Sequence, residues 1–202
     1  MWFIRNGFYY YLIGILIFTL GIVLTIQSRL GASPFDALLV GLHRTIGLTV
    51  GSWEIVVGLS MILCNAVAER KRPEYIALLT SFVTGIGIDS WLLLFNDLMP
   101  QSLFMQYLYL VIGILLIGLG IATYLQSTIA PNPMDRSMLI FSDLTGWSVT
   151  YTRAIISIIL VILAFFFNGA IGIGTLINAL VSGVLISFFI PYIKKLKNKV
   201  II

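Results

Sequence analysis

Apolar residues run along this chain in six long stretches, at 8–27, 51–68, 74–95, 105–126, 150–167 and 173–192, separated by short polar punctuation. Each is long enough to cross a hydrocarbon core of about 30 Å as a helix. Two shorter stretches, 34–46 and 133–145, each open with Pro at the first helical turn, after Ser33 or Asn132 as N-cap. Each closes near a glycine, Gly47 or Gly146. Helices of that length rise only about 20 Å, too little to span. The pattern predicts an all-α membrane protein of six transmembrane helices and two short re-entrant or interfacial helices.

The same pattern occurs twice, 99 residues apart. Residues 14–38 and 113–137 match at 10 of 25 positions without a gap, including Gly14/Gly113, Gly21/Gly120, Gln27/Gln126, Pro34/Pro133 and Asp36/Asp135. Further on, Gly47/Gly146, Thr49/Ser148 and Val50/Val149 keep the register. We read residues 1–99 as one membrane repeat and 100–202 as a second, forming one integrated membrane domain with a basic tail at 193–202. Three spans per repeat is an odd number, so the second repeat is expected to be inverted, with the short helices entering from opposite faces. Gly14 and Gly21, and Gly113 and Gly120, are seven residues apart and share a helix face. Small residues let membrane helices approach closely. That face serves either the packing of the two repeats or a homodimer.

Charge gives orientation. With the N-terminus inside, nine basic residues fall on the cytoplasmic side: Arg5, Arg70, Lys71, Arg72, Arg136, Lys194, Lys195, Lys197 and Lys199. Two, Arg29 and Arg44, fall outside, and Arg153 lies within a span. Cytoplasmic loops carry such an excess of Lys and Arg, so both termini are expected in the cytoplasm. If the short segments crossed, the 70–72 cluster and the tail would lie on opposite faces and the bias would weaken. The N-terminal apolar run is not read as a cleaved signal, because its repeat partner lies deep in the chain and no small-residue cleavage site follows.

Composition agrees. The 202-residue chain is 59% hydrophobic and 10% charged, against about 25% charged in soluble domains. Its net charge of +4 comes from clusters flanking apolar spans. These suit topology signalling and contact with membrane lipids, and nucleic-acid binding is not needed to explain them. The single cysteine, Cys64, sits inside an apolar stretch and reads as packing.

Candidate chemistry rests on ionisable and polar groups at membrane depth, where an ionisable side chain costs roughly 2.5–3.5 kcal/mol on insertion scales. Asp36 and Asp135 stand in the first turns of the short helices, as dipole-complementing caps or as polar lining of a site. Glu54 and Arg153 hold equivalent places early in the following spans, with the charge reversed. They are either solvated at the interface or paired, Arg153 with Asp135 and Glu54 with Arg44 or Arg29. Asp89, after Gly85 and Gly87, is the strongest single functional candidate. Asp36, Glu54 and Asp89 would lie in the outer half and could attract a cation or exchange a proton. Ser33, Asn132, Gln27 and Gln126 complete the polar set, the glutamines equally suited to helix–helix hydrogen bonds. His43, the only histidine, reads as a helix-end polar residue. No nucleophile elbow, metal-ligand set or nucleotide loop is visible, so neither an enzyme nor a bound cofactor or metal is expected.

Leu30-Gly31-Ala32-Ser33-Pro34-Phe35-Asp36-Ala37-Leu38, followed by Gly47-Leu48-Thr49-Val50-Gly51, resembles the YczE/YitT group of bacterial membrane proteins. Thr84-Gly85-Ile86-Gly87-Ile88-Asp89 is nearer to YczE than to YitT. A lysine-rich tail stands where YitT-type proteins usually carry a soluble C-terminal domain. The resemblance covers nearly the whole chain and implies a multi-pass protein of the bacterial cytoplasmic membrane; it carries no biochemical activity with it. Duplication, inversion, paired half-helices and buried charge point to a transporter or channel for a small solute or ion, with its site at the repeat interface. The alternative is a non-transporting accessory or structural membrane protein.

Overall fold

The computed structural model describes residues 2–96, 100–127, 129 and 131–200, without the side chains of 2–6, 199 and 200. The side chains of Arg5 and Lys199, used above for orientation, lie outside the described residues, as do the last two residues of the tail and residue 99, the expected end of the first repeat.

Among the described residues the regular elements are eight α-helices: α1 (Trp2–Gln27), α2 (Pro34–Ile46), α3 (Val50–Glu69), α4 (Tyr75–Leu94), α5 (Leu103–Tyr124), α6 (Pro133–Thr145), α7 (Val149–Phe166) and α8 (Ile173–Val200). The short helices α2 and α6 have the bounds their Pro and Gly punctuation predicts. Asn132 caps α6, its Oδ1 accepting from the Met134 amide at 3.0 Å, and Gly146 closes it in the left-handed region at φ 73°. Thr49 and Ser148, equivalent in the repeat, are the N-caps of α3 and α7. The basic tail is helical as far as it is described: α8 runs on through Lys194, Lys195 and Lys197 to Val200. Lysine is a good helix former, and after Pro191 nothing in the tail breaks a helix.

Six of the helices are long and apolar enough to cross a membrane. Leu63, Val67, Phe82, Ile86, Ile158 and Ile162 are among many large apolar side chains that they leave exposed. An outer surface of this kind is what lipid solvates, and backbone closed within helices is what lipid demands. This is a multi-pass all-α membrane protein.

The helices form two compact units, Met1–Ser33 with Ser90–Ile129 and Gly172–Ile202, and Pro34–Asp89 with Ala130–Ile171. Each draws on both halves of the sequence. In the first unit α1 packs along α5, and α5 along α8. Gly14 lies against Tyr124, Gly21 against Gly113 and Ile117, Gly120 against Phe18, and Gly113 against Thr25. As residue numbers rise on one helix they fall on the other, so α1 and α5 are antiparallel. A Cβ on Gly21 would stand 2.7 Å from the Gly113 carbonyl oxygen, so only glycine permits this approach. Thr19 and Thr25 are fully buried in this unit and return their hydroxyls to the carbonyls of Ile15 and Ile22, both at 2.8 Å.

In the second unit α2 packs on α3 and α7, while α6 packs on α7 and α3. The later turns of α2 lie against the residues that close α7: Gly41 meets Phe167 and Gly169, and the Arg44 guanidinium donates to the Asn168 carbonyl at 3.1 Å. Helix α6 runs alongside α3, with Pro133 near Gly58 and Ile140 sharing a cleft with Ile62 and Asn65. Helices α3 and α4 touch through glycine, Gly51 against Gly85, with Gly58 against Ser81 farther along.

Candidate functional site

In the second unit Glu54, one turn into α3, meets the start of α6 through Asn132, and α2 packs on the same helix. Glu54 is 1% exposed. Asn132 uses both ends of its amide here: Oδ1 caps α6, and Nδ2 donates to Glu54 Oε1 at 3.1 Å. Asp36, 4% exposed in the first turn of α2, and Asp135, half-buried in the first turn of α6, are the two carboxylates that act electrostatically on Glu54. Interfacial solvation of Glu54 is therefore corrected, as is its pairing with Arg44, whose guanidinium is spent on Asn168. A span's first turns read as interfacial when only their distance from the span end is known. Here α6 comes to lie across them.

The N-terminus of α6, with about half a positive elementary charge, thus meets a buried carboxylate. Burying an ionised carboxylate costs several kcal/mol unless it is compensated. That partial charge and the Asn132 amide supply part of that compensation. Chemically, such a carboxyl group exchanges a cation or a proton with whatever reaches it. Among the described residues no three His, Cys, Asp or Glu side chains stand close enough together to hold a metal ion.

The other sequence candidates fall elsewhere. Asp89 is a helix cap: its Oδ2 accepts from the Thr49 hydroxyl at 2.6 Å and its Oδ1 from the Gly51 amide at 2.8 Å. It holds the start of α3 against α4. Arg153 is half-buried near the start of α7, and Ser33 is half-buried just before α2. Gln27 and Gln126 belong to the first unit. There Gln27 Nε2 donates to the Phe95 carbonyl at 2.8 Å, and the Gln126 carbonyl accepts from Lys197 Nζ at 2.6 Å. His43 Nδ1 closes onto the Leu48 carbonyl at 2.5 Å, a helix-end contact.

Two features went unread in the sequence. Arg136 forms a fork on Glu74, with Nε to Oε2 at 3.1 Å and Nη2 to Oε1 at 2.7 Å, and its Nη2 stands 3.8 Å from Glu69 Oε2. This ties the first turn of α6 to the turn between α3 and α4. Second, Asn65, Ser81 and Thr84 are buried polar residues on the facing sides of α3 and α4. Their spacing held the signal. Asn65 lies eleven residues, about three turns, beyond Glu54 on the same face. Ser81 and Thr84 are three apart on α4.

The model of a family of unknown function, DUF6198, matches residues 5–191. The uncharacterized protein YyaS of Bacillus subtilis (strain 168) is 48% identical over 187 residues, covering 92% of this chain and 93% of that protein. The uncharacterized membrane protein YczE of the same organism is 31% identical over 192 residues, 94% of this chain and 87% of that one. An uncharacterized protein of Haemophilus influenzae is 29% identical over 197 residues, 94% and 88% of the two chains. No solved structure matches. The family model and these relatives together show that the chain belongs to the DUF6198 family and is YczE-like.

Proposed function

We propose that this protein is a small transporter or channel, not an enzyme, built of two inverted repeats in the bacterial cytoplasmic membrane, and that it exchanges a cation or proton at Glu54. The observation that carries this reading is the buried carboxyl of Glu54, held by the α6 N-cap Asn132 and within electrostatic range of Asp36 and Asp135. Ionisable groups at membrane depth are retained where they serve a pathway. Inversion is supported by the antiparallel run of the equivalent helices α1 and α5, and by the matched packing of α2 on α7 and α6 on α3. In this reading both termini and the 69–74 turn face the cytoplasm.

Flux of protons and alkali cations into liposomes holding the purified protein tests the function. Glu54→Gln should abolish flux while leaving membrane expression intact. Normal flux in both Glu54→Gln and Asp36→Asn would make the carboxylates structural and move the accessory reading to the front. That second reading draws on the cap made by Asp89, a membrane carboxylate with a purely architectural contact set. Orientation is checked with cysteines at positions 71 and 197: labelling of either from outside intact cells would overturn it.

A further inference from the structure

We infer that the seam between α3 and α4 is a hydrated proton route leading from the turn at 69–74 to Glu54. The inference rests on the exchange reading above and specifies its species and path.

The seam has a mouth, a wall and an end. At the mouth a small solvent-facing cleft of about 10 Å³, room for about one water molecule, is lined by Asn65, Glu69, Arg72, Glu74, Pro133 and Arg136, among others. Along the wall α4 runs opposite to α3, with Gly85 against Gly51 and Ser81 against Gly58. Glu54, Gly58, Ile62, Asn65 and Glu69 follow one another at helical spacing on α3. They form one stripe about 22 Å long at 1.5 Å per residue. At the end is Glu54.

Three oxygens along this stripe, Asn65 Oδ1, Ser81 Oγ and Thr84 Oγ1, are buried and have no hydrogen-bonding partner among the described residues. Their residues are 5%, 0% and 1% exposed. Each such group carries a desolvation cost if nothing bonds it. Alanine or valine at these places would remove that cost. Three further unpartnered buried atoms, on Gln27, Thr152 and Asn178, lie on other helices; those on α3 and α4 fall on two facing helices, and hydroxyls both donate and accept. The oxygens are strung out, Ser81 and Thr84 about 4.5 Å apart along α4 and Asn65 farther toward the mouth. A dehydrated metal cation needs several oxygens converging on one point, whereas water molecules bonded in file need them in series. The arrangement therefore favours the proton over a coordinated ion.

A proton from hydronium at the mouth passes by exchange of O–H···O bonds along water and the Ser81 and Thr84 hydroxyls. It ends as the carboxylic O–H of Glu54, and the reverse sequence returns it. The charged groups acting on Glu54 are Asp36 from α2 and Asp135 from α6. Helix α4 carries no charged side chain between Glu74 and Asp89, and α7 carries Arg153. Between the mouth and Glu54, Ser81 packs closely on Gly58. The Arg136 fork on Glu74 spans the mouth and limits access.

The test is water access measured by thiol chemistry, since a cysteine reacts as thiolate and forms it only where water reaches. In a Cys64→Ala background, Asn65→Cys, Thr84→Cys and the lipid-facing control Leu63→Cys are exposed to a small cationic methanethiosulfonate reagent from each face of membrane vesicles. Thr84→Cys and Asn65→Cys should react at least about tenfold faster than the control, only from the face bearing residues 70–72, and faster again with Arg136→Gln. Rates equal to the control, or reaction only from the opposite face, would overturn the route. Hydroxyl-radical footprinting of the unmutated protein guards against misfolded variants: Ile62 and Pro133 should oxidise well above Leu63, and equal oxidation would count against the route. Access without ion flux would remove the transport reading and leave the route. Flux without access would remove the route and leave transport.

Discussion

Helices α2 and α6 begin alike, with Pro and then Asp, and have the same length, yet they are held in different ways. In α2 the nine residues from Pro34 to Leu42 are all buried, whereas α6 buries only Pro133, Ser137, Met138 and Ile140. The largest difference in chemistry comes one residue after the shared Asp, where α2 has Ala37 and α6 has Arg136. Alanine lets α2 sink against α7, its carbonyl oxygen close to Gly169. Arginine keeps one side of α6 polar and fixes it through Glu74 and Glu69. One short helix is held by shape and the other by charge. A helix held by packing against glycine tolerates almost no change of volume. One held by exposed ion pairs can be released by modest changes in charge or salt.

The largest expected effect is therefore on α2. Gly41→Leu would drive a side chain into Gly169 and the Phe167 carbonyl oxygen, where a Cβ alone already stands 2.9 Å from that oxygen. Overpacking of this kind should cost about 3 kcal/mol, seen as a clear fall in melting temperature in detergent. Its counterpart on α6 is Ile140, so Ile140→Leu, nearly volume-conserving, should cost under about 1.5 kcal/mol. Equal losses would remove the contrast.

Next comes the cap of α6. Asn132→Ala removes both the cap and the donor to buried Glu54, and should destabilise by about 2–3 kcal/mol. Asn132→Ser keeps a capping oxygen but cannot reach Glu54. Its thermal stability should fall between wild type and Asn132→Ala, and the two steps separate cap from contact. Matching losses in both variants would assign the whole effect to Glu54.

The smallest effect is the most diagnostic. Arg136→Gln breaks partly exposed ion pairs and should cost no more than about 1 kcal/mol. That loss should shrink in about 1 M salt, where the screening length falls to about 3 Å. Arg44→Gln, which breaks a contact to a carbonyl oxygen, should show much less salt dependence. If the two respond alike, the distinction between charge and shape fails.

The short helices were legible because their punctuation is local: Pro34, Pro133 and the closing glycines act through backbone geometry that no distant residue can override. The α1–α5 seam was foreshadowed by glycines seven residues apart. The site was only half legible. Asp36, Asp135, Asn132 and Glu54 were all visible as polar groups in apolar surroundings, but burial depends on which helix lies across them. That is a long-range property: Asn132 meets Glu54 over a sequence separation of 78 residues. The contacts of Asp89 were hidden for the same reason, because its partners Thr49 and Gly51 belong to the start of another helix. The length of α8 was missed because a lysine-rich stretch reads as polar tail, although lysine propagates a helix well.

The contact between Glu54 and Asn132 also sets an order of events at the ribosome. Helix α3 enters the membrane well before the amide that answers its carboxylate has been made. At about 5–20 residues per second, those 78 residues take about 4–16 s to synthesise. Throughout that interval the nascent α3 carries Glu54 without Asn132, and the mean hydropathy of the span, 1.6, must hold it in place.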